Sequence, residues 1–263
     1  MTQPILPQIA GLMTEMRALG TNLLDWRADT KARHLHSKAD LKTEADRRAH
    51  QHLVAALARD FPDIPVISEE DAEHLATRPE RYWLIDPIDG TASWLNGFAG
   101  FVIQIALIEG TTPVLGLIHA PALDLFYTAA RGEGAFVNGT ALDPLRPRAS
   151  VILIDNTPTP HGICARLMDQ LSTTGYVESG SLGLKSCRIA DGVADLFVKD
   201  VVVRDWDMAP AHVLLGELGG EMIGMDGQPF AFEGAWDKPG GVIVARNAAI
   251  AEQGLAAIAR LNA

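Results

Sequence analysis

The chain has 263 residues, an ordinary apolar share of 48% and a formal net charge of −11. That length buries a large core, as one big domain or two small ones. The acidic balance argues against binding along a nucleic-acid backbone, which requires basic surface. Two cysteines, Cys164 and Cys187, are too few for a disulfide framework, and no apolar run reaches membrane-spanning length. Residues 1–4 lack the basic and apolar regions of a signal peptide, so reduced thiols in a cytoplasmic protein are expected.

In chain order, residues 5–27 predict a helix, with Ile9, Leu12, Met13, Met16 and Leu19 at helical spacing. Residues 32–42 are polar and read as a loop. A second helix is expected from Thr43, a good N-cap, to about Arg59, with Glu44 and Asp46 in its first turn. Strands are expected at 65–68, 82–85, 101–108, 114–119 and 125–130, with turns at 110–113 and 132–134. Adjacent strands without intervening helices predict an antiparallel sheet and an α+β half.

The proline-bearing stretch 143–148 reads as a linker, which divides the chain into 1–148 and 149–263. Beyond it, strands at 151–154, 195–198, 221–225 and 241–245 alternate with helices at 161–172, 182–191, 206–218 and 248–261. That alternation is the α/β pattern.

The chemistry concentrates in Asp86-Pro87-Ile88-Asp89-Gly90-Thr91, which follows an apolar strand. A continuing strand sends residues three apart to opposite faces. Pro87 would interrupt the strand and let the chain turn, bringing both carboxylates to one spot. Gly90 permits a tight turn, and Thr91 would open a short helix through Leu95 whose free amides favour an anion. The plainer alternative is a strand end with a solvated Asx turn. Glu69-Glu70 reads either as two further ligands or as a solvated charge run. Asp207 shares a helical stripe with Ala211, Leu214 and Leu218, which places it on a buried side; it reads as a ligand or as an N-cap. Asp46 lies on the stripe of Leu53 and Leu57, so it reads as a buried, partnered acid or as a first-turn acid favoured by the helix dipole. Oxygen ligands of this kind select Mg²⁺, Mn²⁺ or Ca²⁺ over Zn²⁺. The pairs His34/His36 and His50/His52 are two apart and do not make a zinc site.

Together these segments resemble the inositol monophosphatase superfamily. Asp86 to Thr91 is similar to its D-P-(I/L)-D-G-T signature, and Trp206-Asp207-Met208-Ala209 to its W-D-x-A signature. Thr43 to Asp46 resembles T-x-x-D, and Gly132 to Gly139 resembles G-x-G-A-F-x-N-G. The similarity runs from about Lys38 to Arg246. It implies a layered αβαβα sandwich of the inositol monophosphatase and fructose-1,6-bisphosphatase type, and a Mg²⁺-dependent, lithium-sensitive phosphatase, often dimeric. It also implies that Glu69, Asp86 and the carbonyl of Ile88 hold one Mg²⁺, and that Asp86, Asp89 and Asp207 hold a second. Glu69 and Thr91 would position the attacking water, Asp46 would polarise Thr91, and Glu70 would assist at the edge with a third, weaker ion. The phosphate would rest on the amides of Gly90 and Thr91.

Gly180-Ser181-Leu182-Gly183-Leu184-Lys185-Ser186-Cys187 most resembles the bisphosphate nucleotidase branch. That implies the 3′-phosphate of adenosine 3′,5′-bisphosphate as the substrate, with Ser181 and Lys185 near it. On residues alone, Lys185 equally reads as a helix-surface lysine. Inositol, sugar or histidinol phosphate are the alternative substrates, and a non-catalytic metal-binding member is the alternative of another class. Asp200 is the nearest acid to the position where inositol phosphatases bind a hydroxyl. Lys42 stands where the family often has an apolar residue.

Overall fold

The computed structural model describes residues 4–37, 41–70 and 77–261. Residues 1–3, read above for a targeting signal, and 38–40, read as loop, lie outside that set.

The N-terminal half opens with a short 3-10 turn, Leu6–Ile9, running into α1, Ala10–Trp26. Two short antiparallel strands follow, β1 (Leu35–Ser37) and β2 (Lys42–Thr43). The stretch read as a plain loop therefore carries two short paired strands, which its polar, His-rich sequence does not signal. Helix α2, Glu44–Asp60, starts at Thr43, whose hydroxyl accepts the amides of Ala45 and Asp46 while Asp46 accepts the amide of Thr43. This reciprocal cap satisfies donors that a helix start leaves free.

A seven-stranded sheet then forms from β3 (Val66–Ser68), β4 (Arg81–Asp89), β5 (Val102–Glu109), β6 (Thr112–Ala120), β7 (Leu125–Ala130), β8 (Gly134–Val137) and β9 (Thr140–Ala141), in that spatial order. The five-residue helix α3, Thr91–Leu95, connects β4 to β5. The sheet is antiparallel except for the parallel pair β3–β4.

The C-terminal half begins with β10 (Val151–Asp155), α4 (Gly162–Gln170), β11 (Thr173–Glu178), α5 (Leu182–Ala190) and β12 (Leu196–Lys199). It continues through β13 (Val203–Arg204), α6 (Asp205–Leu218), β14 (Glu221–Ile223), β15 (Asp237–Lys238), β16 (Val242–Ala245) and α7 (Ala248–Leu261). Five of these strands make a mixed sheet of order β11-β10-β12-β16-β14. β11 went unread because its sequence, Thr-Thr-Gly-Tyr-Val-Glu, has little apolar alternation, and it sits at the sheet edge.

Strand alternation sorts side chains into three cores. Trp83, Ile85, Ile103 and Ile105 pack against α1 and α2. Tyr82, Leu84, Val102 and Ala106 face the other way, onto α5 and α6, where Phe197 and Val244 of the second sheet also arrive. Leu196, Val198 and Ile243 turn to α4 and α7. The result is five layers, αβαβα, as the resemblance implies. α5 and α6 form the middle layer, and α6 is accordingly apolar nearly all round, as a helix buried on most sides must be. It approaches β6 so closely that a Cβ on Gly116 would lie 2.1 Å from the carbonyl oxygen of Pro210. Among the described residues, no helix is long and apolar enough to cross a membrane.

Candidate metal centre

β4 does not end at Pro87. It stays paired with β5 through Asp89, but its register slips: Asp86 faces Gln104, and Asp89 faces Val102. Three steps on β4 thus oppose two on β5. The extra residue is a β-bulge, and it reverses the side-chain alternation beyond it. This, rather than a turn, brings Asp86 and Asp89 to the same side. The bulge costs little in hydrogen bonding. Pro87 has no amide to lose, and the amide of Ile88 donates to Asp86 Oδ1 at 3.0 Å. Gly90, at φ +92°, then turns the chain into α3.

Three other elements converge on this point. β3 runs parallel to β4, and the amide of Glu69 donates to Ile85 O at 3.2 Å. That sets the Glu69 carboxyl beside Asp86. α6 supplies Asp207. It is the third residue of the helix rather than its N-cap, and its carboxylate accepts the amide of Arg204 at 2.9 Å. Asp86, Asp89 and Asp207 each place a carboxylate oxygen within 4.8 Å of the other two. α5 aims its first turn at Asp89: the Gly183 amide donates to Asp89 Oδ2 at 2.7 Å, and Gln104 Nε2 lies 3.3 Å away.

The hydroxyl of Thr91 lies 3.0 Å from Asp46 Oδ1 and 3.1 Å from Ile88 O. Asp46 is buried and also accepts from the Thr43 hydroxyl. Glu70 is half-buried, with Lys42 Nζ 3.4 Å from its carboxylate. Glu69 and Glu70 are therefore not a solvated charge run.

The electrostatics are those of an acid cluster short of positive charge. Asp86 is held well above the usual carboxylate range, first by burial and then by Glu69, Asp89 and Asp207. Asp207 is held well above it too, by burial and by Asp89 and Glu69. Burial raises Glu69, Asp89 and Asp46, and pushes Glu70 up to about 7. Like charges this close ionise together only beside a cation. The donors are all oxygens, which fits a hard divalent ion of the Mg²⁺ or Ca²⁺ kind.

Ser181 caps α5, accepting the Leu184 amide at 3.2 Å, and its own amide donates to Gly100 O at 2.8 Å. Lys185 is not on the surface: it is 2% exposed, lies over the Phe197 ring, and donates to Gly180 O at 2.8 Å. Burial lowers its pKa to about 8. Asp200 is exposed where β12 ends, its backbone against Gly241. Sequence reading passed over Gln104 and Arg204. Gln104 carried a usable signal, as a lone polar residue inside the apolar run 102–108. Arg204 lies 3.7 Å from Glu69 and 3.1 Å from Asp237. With Lys42, Trp206 and Trp236, these residues line a cleft of about 380 Å³.

A sequence model of the inositol monophosphatase family matches residues 9–262. The 3′(2′),5′-bisphosphate nucleotidase CysQ of Aggregatibacter actinomycetemcomitans is 34% identical over 200 residues, covering 72% of this chain and 74% of that protein. The CysQ of Escherichia coli strain K12 is 31% identical over 227 residues, covering 82% and 90%. In fold, the crystal structure of extragenic suppressor protein suhB from Bartonella henselae superimposes with a TM-score of 0.80 at 24% identity, over 95% of this chain and 97% of that one.

Proposed function

The chain belongs to the inositol monophosphatase family of metal-dependent phosphoric monoester hydrolases, and from that premise we propose that it removes the 3′-phosphate of adenosine 3′,5′-bisphosphate using Mg²⁺. The observation that carries the reading is the convergence of Asp86, Asp89 and Asp207 within 4.8 Å, beside Glu69. Asp86 would be shared between two ions, with Glu69 and the carbonyl of Ile88 to hold one and Asp89 and Asp207 to hold the other. Glu70 would flank the first. Bound Mg²⁺ supplies an acidified water and neutralises charge on the ester oxygen.

The protein's own groups do the rest. Glu69 takes the proton of the attacking water, the Thr91 oxygen positions that water by accepting its hydrogen bond, and Asp46 accepts the Thr91 hydroxyl hydrogen and so polarises it. The amides of Gly90 and Thr91 bind phosphate oxygens. Asp89 is oriented by the first turn of α5, whose amide hydrogen bond opposes the effect of burial on its carboxyl. Similarity to two CysQ proteins supports the nucleotide reading, and so does the Ser181–Lys185 segment, which borders Asp89 and so belongs to the leaving-group side. The two cysteines are free and buried, in keeping with a reducing, cytoplasmic compartment. The same reading divides the chain near residue 148, with Asp86 and Asp89 from one part and Asp207 from the other.

A phosphate-release panel in Mg²⁺ tests the substrate. Adenosine 3′,5′-bisphosphate should give the highest kcat/KM, against myo-inositol 1-phosphate, fructose 1,6-bisphosphate and histidinol phosphate. A higher value for any of those three would reassign it.

A further inference from the structure

A third ion at Glu70 does not fit the residues around it. Glu69 stands beside Asp86 on its inner side, and the Glu70 amide donates to Ser68 Oγ at 3.2 Å. Among the described residues, two cations meet this acid pair. Lys42 Nζ lies 3.4 Å from Glu70 Oε1 and donates to Glu69 O at 2.7 Å. Arg204 Nη1 lies 3.7 Å from Glu69 Oε1, and its Nε lies 3.1 Å from Asp237. Both side chains are partly buried, and each is tied at a second point, Lys42 to the main chain and Arg204 to Asp237. They are fixed charges, not mobile surface side chains.

The distances leave a further ion little room. A Mg²⁺ on Glu70 Oε1 would lie about 2.1 Å from that oxygen, and so within about 5.5 Å of the Lys42 ammonium. At that separation a divalent ion and an ammonium repel strongly where water is partly excluded. Charge balance points the same way. Two divalent ions match Glu69, Asp86, Asp89 and Asp207, and Lys42 matches Glu70. The cleft beside Glu69 offers one more carboxylate, that of Asp237, and Arg204 already holds it.

We propose that Lys42 takes the place of a third ion and, with Arg204, closes the outer flank of Glu69 and Glu70, so that the centre holds two divalent ions and no more. Lys42 is a positioning residue: it holds Glu70 and the Glu69 carbonyl with a charge that no chelator removes. This rests on the acid cluster being a metal centre, and not on which phosphate ester it hydrolyses.

Mn²⁺ shares the oxygen preference of Mg²⁺. It is titrated into the full chain up to millimolar free ion, and the unbound ion is counted by its electron paramagnetic resonance. The native chain should bind two ions. Lys42→Met keeps the aliphatic stem and removes the charge; it should gain a third, weaker ion, and Lys42→Arg should not. Adding Glu70→Gln to Lys42→Met should abolish the third ion, which assigns it to Glu70. A purely structural role for Lys42 gives no such gain. Should Lys42→Met fail to fold, Lys42→Gln takes its place. Three ions on the native chain, or two on the charge-removed variant, would overturn the proposal while leaving the metal centre standing. Fewer than two on the native chain would overturn the metal centre itself and the proposal with it.

Discussion

The amide of Gly183 donates to the carboxylate of Asp89 at 2.7 Å, so the first turn of α5 fixes an acid that β4 delivers from another layer of the sandwich. A Cβ at Gly183 would lie 2.2 Å from Gln104 Oε1 and 3.1 Å from Asp89 Oδ2. Gln104 is fully buried and has little room to withdraw. Gly183→Ala should therefore displace Asp89 while leaving the helix intact. The expected outcome is a Mg²⁺ requirement raised about tenfold or more, of the size seen when groups that orient ligands are lost. Activity titrated against Mg²⁺ checks this, and an unchanged half-saturation point would refute it.

Asp89→Asn separates the chemistry from the fold. The amide keeps an oxygen for the Gly183 N–H but removes one charge from a crowded, buried cluster. Turnover should fall at least about a thousandfold, since a metal ligand is lost. In EDTA, however, the variant should melt higher than the native chain, because the repulsion that raises Asp86 and Asp207 is relieved. Phosphate release and paired melts measure the two effects. Retained activity would remove Asp89 from the site.

Much of this centre was legible in the sequence, because acids flanked by apolar strands have few other uses. The companions of those acids were harder to read. Gln104 acts through the register of β5 on β4, and Gly183 through the approach of a helix from the other sheet; both depend on tertiary placement that no local pattern encodes. Pro87 read as the end of a strand because its effect on the ladder is local, whereas β5 continues to pair beyond it and converts the break into a bulge. Lys185 could not be told from a surface lysine, since its burial depends on Phe197 and the Gly180 carbonyl. For Asp207 the inward stripe was correct but uninformative, because α6 is buried on most of its sides.

Metal and pH should act on stability together. Glu70 moves from its ordinary 4.5 to about 7, and Asp86 and Asp207 also stand well above their usual range. Through that window the metal-free folded state keeps protons that the unfolded chain has lost. Its stability is therefore highest below about pH 4.5, as far as these groups decide it, and falls as the pH rises past 7. Mg²⁺ reverses the sign by binding the ionised cluster. At a hundredfold excess over Kd it contributes about 2.7 kcal/mol, or roughly 5–10 °C in Tm for a chain of this size. The gain should be larger at pH 8 than at pH 5. Melts in EDTA and in Mg²⁺ at both values check this, and a gain independent of pH would contradict it.

Thr91 and Asp46 make a pair whose loss should be graded. Thr91→Ser keeps the hydroxyl that meets Asp46 at 3.0 Å and should retain activity within about tenfold. Thr91→Val keeps the shape and removes the hydroxyl that positions the attacking water, so kcat should fall by about 10²–10⁴. KM should change little, since the phosphate amides remain. A Val variant as active as the Ser variant would confine Thr91 to a structural role.

The last test concerns how the two halves of the site are held together. Gly100, in the loop before β5, and Gly180, before α5, touch backbone to backbone: a Cβ on Gly180 would lie 1.9 Å from Gly100 O and 2.4 Å from Gly100 Cα. The Ser181 amide also donates to Gly100 O, so this contact sets where α5 begins and hence where Gly183 meets Asp89. Backbone cannot yield as a side-chain tip can. Gly180→Ala should cost about 1–3 kcal/mol, as overpacked sites do, and should raise the Mg²⁺ requirement along with it. Gly97→Ala makes the control: it sits three residues away in the same loop with open space around its Cα, and differs by its φ of +79°. It should lose stability through backbone strain while its Mg²⁺ dependence stays that of the native chain. If both variants shift Mg²⁺ dependence equally, general loosening of the loop, and not the Gly100–Gly180 contact, governs the placement of Asp89.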